Sequence, residues 1–226
     1  MVTKDQPERA EITEISTATL DGVDSFILSH ETSIGQNPVE ATTYLAKGIA
    51  EAENIYDYEQ AFCNVREEVK KQGAKAMSID VLTTAGCAIA YEQKENVDMF
   101  VCLTENGKIA RHLAKQRPKQ PILACSTNGQ VVRQMNLIRG VVGYKIPEFM
   151  KQKTDDLIEL ILQVAQEQLI CNLPTSKVMI FIGQNEGDEK KEMYTFKLIG
   201  GEKSPEDDED EGEESRQKRR KMSDHM

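Results

Sequence analysis

The chain has 226 residues, 39% hydrophobic and 29% charged, with a formal net charge of −10: enough for one sizeable core, with polar sequence left over for a tail. No run approaches the roughly 18 apolar residues of a membrane helix and the N-terminus carries no basic-then-apolar leader, so a cytoplasmic or nuclear chain without a membrane partner is expected. The cysteines Cys63, Cys87, Cys102, Cys125 and Cys171 form no CxxC pair and are expected as buried thiols, and His30, His112 and His225 share no ligand-type spacing, which argues against a metal site.

Taken in chain order, Ala10, Ile12, Ile15, Ala18 and Leu20 predict a helix over 9–20 that Asp21-Gly22 closes. Val23, Phe26, Ile27 and Leu28 follow as a short apolar run, expected as a buried strand over 23–28. Helical patterns over 38–52, 58–72 and 79–93 come next, the last with Val81, Leu82, Ala85, Ala88 and Ile89 on one face. A strand over 99–103 and a helix over 108–116 lead to Arg117-Pro118, a stop signal. The unit repeats as a strand over 122–125, a helix over 130–138 and a strand over 141–144. A long helix over 154–171, with Leu157, Leu160, Ile161, Val164 and Ala165 on one face, stops before Pro174 and gives way to strands over 178–182 and 193–198. Alternating strands and helices imply an α/β fold, a mostly parallel five-stranded sheet between layers of helices. Too few residues join the last two strands for a crossover, so the final strand is expected antiparallel. Residues 201–226 hold ten acidic and six basic side chains and no aromatic or β-branched residue, the composition of a disordered tail. Its basic stretch from Arg216 to Lys221 has the form of a nuclear-localisation or anion-binding patch, although the flanking acids screen it and a solvated tail is the plainer reading.

PERAEITEISTATLDGVDSFILSHET, at residues 7–32, resembles the pyruvate kinase pattern PTRAEVxDVANAVLDGxDxxMLSGET. Gly35, Pro38 and Glu40-Ala41 continue the likeness, IARHLAKQRPKQPILACS resembles a second run of that family, and LIRGVVGY resembles its L-x-R-G-V-x-P. The resemblance covers essentially residues 1–200. It implies three parts: residues 1–53 as a fragment of the family's (β/α)8 barrel with its last strand and helices, 54–200 as the C-terminal α/β domain, and 201–226 as the added tail.

Pyruvate kinases transfer a phosphoryl group from phosphoenolpyruvate to ADP at the mouth of the barrel, using magnesium and potassium. The catalytic lysine, the metal-binding carboxylates and the nucleotide arginines belong to earlier barrel strands, so the resemblance implies no cofactor for this chain and no intact catalytic set. Glu8 stands where the family has a substrate-contacting threonine and would repel phosphoenolpyruvate, and His30 stands in place of the glycine of SGET. In strongly activated members a phosphate loop reads TKSGRS. Here it is TENGKI, in which Thr104, Asn106, Gly107 and Lys108 keep a donor-rich helix start suited to weak sugar-phosphate or anion binding, while Glu105 and Ile109 depart from the pattern. The second effector loop corresponds to residues 183–188, whose acids oppose a bisphosphate. Three readings follow: a pyruvate-kinase-like pseudoenzyme serving as a binding or structural module, a truncated or split piece of an active kinase, and a nuclear regulatory protein. The expected partners are copies of the chain or a larger assembly; nucleic acid is not among them.

Overall fold

The computed structural model describes residues 1–92, 97–147, 160, 164, 177–184 and 193–199. Helix α1 (Arg9–Leu20) starts with the Glu8 amide donating to Glu11 Oε2 at 2.7 Å, the backbone-capping half of a capping box. It ends at Asp21-Gly22, with Gly22 in the left-handed region as the turn signal requires. A single turn, α2 (His30–Ser33), precedes α3 (Pro38–Asn54), which opens with proline in its first turn and packs on α1. Between α1 and α2 the expected strand is absent: residues 23–28 are irregular. A strand exists only by pairing, and no strand lies beside these residues among those described, so their apolar pattern is not converted into sheet. Ile27 is 91% exposed there.

The remainder builds the expected α/β layers. Helix α4 (Tyr58–Gln72) is capped by Asp57, whose Oδ1 accepts from the Gln60 amide at 2.8 Å. Helix α5 (Ser78–Glu92) precedes β1 (Val97–Leu103), followed by α6 (Lys108–Lys115), β2 (Ile122–Ser126), α7 (Gly129–Met135), β3 (Val141–Lys145), β4 (Lys177–Gln184) and β5 (Met193–Ile199). The strand order is β3-β2-β1-β4-β5; the first four are mutually parallel and β5 is antiparallel to β4. β1 begins two residues before the expected start, with a register irregularity around Asp98, whose carboxylate accepts from the Lys177 amide at 3.0 Å. Of the predicted long helix, Leu160 and Val164 lie within the described residues; both are helical and Val164 is buried. The tail, with its basic stretch from Arg216 to Lys221, lies outside the described residues.

Alternate residues of the central strands face opposite cores, as the two-residue period dictates. Phe100, Cys102, Ile122, Ala124 and Phe181 join Ile79, Leu113 and Met135 from the helices on one side. Met99, Val101, Leu123, Val178 and Ile180 form the other side with Ile146. Phe100 and Phe181 meet at 5.9 Å between ring centroids with a 59° tilt. A Cβ on Gly86 would lie 2.4 Å from Phe181 Cζ, so the missing side chain is what lets α5 settle onto this ring. Of the described cysteines, Cys87, Cys102 and Cys125 are buried, as expected, and burial pushes the Cys125 thiol up to about 12, away from thiolate chemistry. Cys63 departs from the expectation and is exposed, on a helix whose buried residues are Phe62 and Val69. Replacing Phe181 by alanine removes the shared wall of α5 and β1, and chemical denaturation is expected to show a loss of about 3–5 kcal/mol.

Candidate functional site

A sheet ordered 3-2-1-4 is wound in opposite senses from β1, and such sheets open a crevice beyond the carboxyl ends of the strands where the winding reverses, here β1 and β4. The 104–107 loop follows β1 directly into this crevice. The structure brings Thr104, Asn106, Gly107 and Lys108 together there in one tight turn. The Gly107 amide donates to Thr104 Oγ1 and the Lys108 amide to Asn106 Oδ1, each at 2.9 Å. Gly107 has φ +80°, and a Cβ on it would stand 2.7 Å from Met135 Cε, so backbone conformation and close approach both call for glycine. Two of the amides that a helix start offers to an anion are thus engaged by the loop's own side chains, and an anion here competes with them. Arg111 Nη2 donates to the Asn106 carbonyl at 2.8 Å and adds positive charge beside the turn. The second effector loop is described only as far as Gln184.

The two remaining candidate positions, Glu8 and His30, lie in the N-terminal segment. Glu8 is the N-cap residue of α1, and its carboxylate pairs with Lys4 on the surface, which raises the lysine's pKa. Glu11, one turn on, pairs with the N-terminal amine, and that hydrogen bond, followed by the one from the Glu8 amide, lowers its pKa. His30 begins α2, exposed, its carbonyl accepting from the Gly35 amide at 2.8 Å. A groove of about 310 Å³ runs between α1, residues 26–28 and α3, lined by Ile15, Phe26, Leu28 and Leu45 and edged by Glu14 and Glu31; neither Glu8 nor His30 lines it. Among the described residues no three His, Cys, Asp or Glu side chains converge as a metal-binding group.

Sequence reasoning missed a third cluster, which joins the N-terminal helices to the α/β layers. Arg117, one residue past the C-cap of α6, has φ +52°, the only described non-glycine residue at positive φ. Its Nη1 lies 3.4 Å from Asp24 Oδ1, and its Nη2 donates to the Gly22 carbonyl. The same Asp24 oxygen accepts from the Arg139 amide at 3.3 Å, and Arg139 Nε donates to Glu53 Oε1 at 3.1 Å. The Arg139 guanidinium lies over the Tyr56 ring, 4.5 Å from its centroid. Tyr58, next to it, has its phenol pKa raised, chiefly by burial. The available signals were the second aspartate of LDGVD and the arginine of LIRG, both inside the motifs of the resemblance but without a stated role.

The fold and crevice define an open, doubly wound α/β domain carrying an N-terminal helical segment. A profile of the pyruvate kinase alpha/beta domain matches residues 80–194, and the chain belongs to the pyruvate kinase family. It is 38% identical over 168 residues to a pyruvate kinase of Eimeria tenella, covering 74% of this chain and 30% of that protein. With a pyruvate kinase of Dictyostelium discoideum the identity is 34% over 190 residues, 83% of this chain and 36% of the other. The solved structure of Cryptosporidium parvum pyruvate kinase in complex with ADP superposes with a TM-score of 0.74 at 25% identity, covering 88% of this chain and 38% of that one. The chain thus spans about a third of the length of these relatives.

Arg117 combines a strained backbone with a useful side chain, and the two separate by substitution. Arg117→Gly and Arg117→Ala both lose the contacts to Gly22 and Asp24, but only glycine relieves the left-handed strain. The glycine variant is expected to be more stable than the alanine variant by about 1–2 kcal/mol in denaturant titrations. Amides at 22–24 should exchange faster than in the parent protein in both variants.

Proposed function

We propose that this chain is a pyruvate-kinase-type binding or structural module that does not transfer phosphoryl groups by itself. The observation that carries the reading is Glu8. At the position where the resemblance calls for a substrate-contacting threonine, the residue is a surface N-cap carboxylate paired with Lys4. A carboxylate there repels phosphoenolpyruvate, and phosphoryl transfer depends on charge neutralisation. Glu8 also serves the fold at the positive end of α1, a use that needs no substrate.

A second reading, that the chain works as one piece of an active kinase, draws support from residues 23–28. Their backbone has no strand partner among the described residues, and Ile27 lies open. An apolar segment in this state favours cover by another chain, whether a copy of itself or a larger assembly. The module reading places the protein in the cytoplasm. Among the described residues no helix is long and apolar enough to cross a membrane.

The purified chain, assayed with phosphoenolpyruvate, ADP, magnesium and potassium, is expected to show no turnover above a no-enzyme control. Turnover that disappears on substitution within the chain would overturn the module reading. Turnover that arises only on adding a separately expressed pyruvate kinase barrel would establish the second. Sedimentation velocity tests the need for cover independently: the parent chain is expected to associate at micromolar concentration, and Ile27→Asp to shift it toward monomer without changing the melting temperature of the α/β layers.

A further inference from the structure

The two arginines that hold the N-terminal helices also wall a cleft, and we propose that it binds a small oxyanion, a carboxylate or phosphate that also carries a hydroxyl group. The cleft, of about 180 Å³, opens between the start of α4 and the 117–121 loop. It lies where β2 and β3 begin, at the opposite end of the parallel sheet from the 104–107 loop, and is separate from the crevice described above.

Its walls carry three cationic side chains, Arg117, Lys119 and Arg139, against the single carboxylate of Glu53. Asp24, which pairs with Arg117 from outside the cleft, leaves the balance positive. Both guanidinium groups are already oriented, Arg117 by Asp24 and the Gly22 carbonyl, Arg139 by Glu53 at one edge and the Tyr56 ring on its face. What remains of Arg139 is its outer fork: Nη1 and Nη2 are buried without a well-formed hydrogen bond among the described residues, and the Tyr58 hydroxyl, which interacts with the guanidinium and lines the same cleft, is the group a ligand would share them with. Gln120 Oε1, also in the wall, is a buried acceptor without a partner among the described residues. Buried polar atoms are normally satisfied, and an unpaired charged donor is the costliest exception.

A ligand that settles both atoms needs paired oxygens for the guanidinium fork and an O–H for Gln120. A carboxylate or phosphate matches the planar fork in its bidentate geometry, and its hydroxyl supplies the donor. The cleft volume admits hydrogen phosphate or a short hydroxy acid and excludes a nucleotide. Lys119, exposed at the rim, adds attraction without being needed for the fold.

The full chain is titrated with inorganic phosphate and, separately, with sodium glycolate, against sodium chloride at matched ionic strength, and followed by amide NMR shifts and thermal melting. Saturable shifts at Arg117, Lys119, Gln120, Arg139 and Gly140, with a rise in melting temperature, are the expected result, and the tighter of the two probes identifies the head group. Lys119→Gln should weaken binding about tenfold, the effect of losing one charge-assisted contact, and leave the melting temperature of the free protein unchanged. Lys108→Gln, in the 104–108 turn, should leave binding unaltered. Arg139→Lys keeps the charge and removes the fork, and should abolish saturation; if that variant fails to fold, Lys119→Gln still decides. No saturable shift with either probe, or binding that responds to Lys108→Gln and not to Lys119→Gln, would overturn the proposal.

Discussion

β1 has neighbours on both edges and cores on both faces, and the rest of the chain is arranged to satisfy those four demands. Its edges pair in parallel with β2 and β4, which fixes the strand order and places the crevice at its carboxyl end. Its faces bury Phe100 and Cys102 on one side and Met99, Val101 and Leu103 on the other. A strand that is apolar on both faces has no stable place at a solvated surface, so helices must cover the sheet above and below. α5 meets this demand on one face through Gly86 against Phe181.

The N-terminal segment depends on a different physics. α1 and α3 pack on each other, but their attachment to the sheet domain runs through polar contacts: Asp24 shared between Arg117 and the Arg139 amide, and Glu53 paired with Arg139. Half-exposed ion pairs contribute little individually. Here they are joined by a backbone carbonyl acceptor and a guanidinium stacked on Tyr56, and the combination fixes orientation more than it adds stability. Fixed arginines with spare donors are also what an anion site requires, so the join and the cleft share the same side chains.

The layered α/β part was legible from sequence because its signals are local and periodic. α4 and α5 fall within a residue of the helical patterns at 58–72 and 79–93, and the antiparallel course of β5 followed from a short connection. The segment at residues 23–28 was misread because its apolar composition matches a strand while strand formation depends on partners that a local reading does not supply. The 104–107 loop was legible as a helix start, but its internal bonds from Gly107 to Thr104 and from Lys108 to Asn106 were not, since they follow from a turn closed around Met135. The contacts of Arg117 and Arg139 were not legible for a similar reason: their partners lie 93 and 86 residues away in the chain, beyond any periodic pattern.

The conformation of Arg117 has a mechanical consequence. The residue before a proline is normally held extended, yet Arg117 is wound left-handed immediately ahead of Pro118, and four residues later the chain enters β2 at Pro121-Ile122. A stiff, doubly restricted joint of this kind transmits displacement instead of absorbing it. Gly22 and Asp24 are thus tied through the Arg117 side chain and a rigid Arg-Pro joint to the first residue pairs of β2 with β1 and β3. The position of the N-terminal helices is set by the same short stretch of chain that sets the start of a central strand.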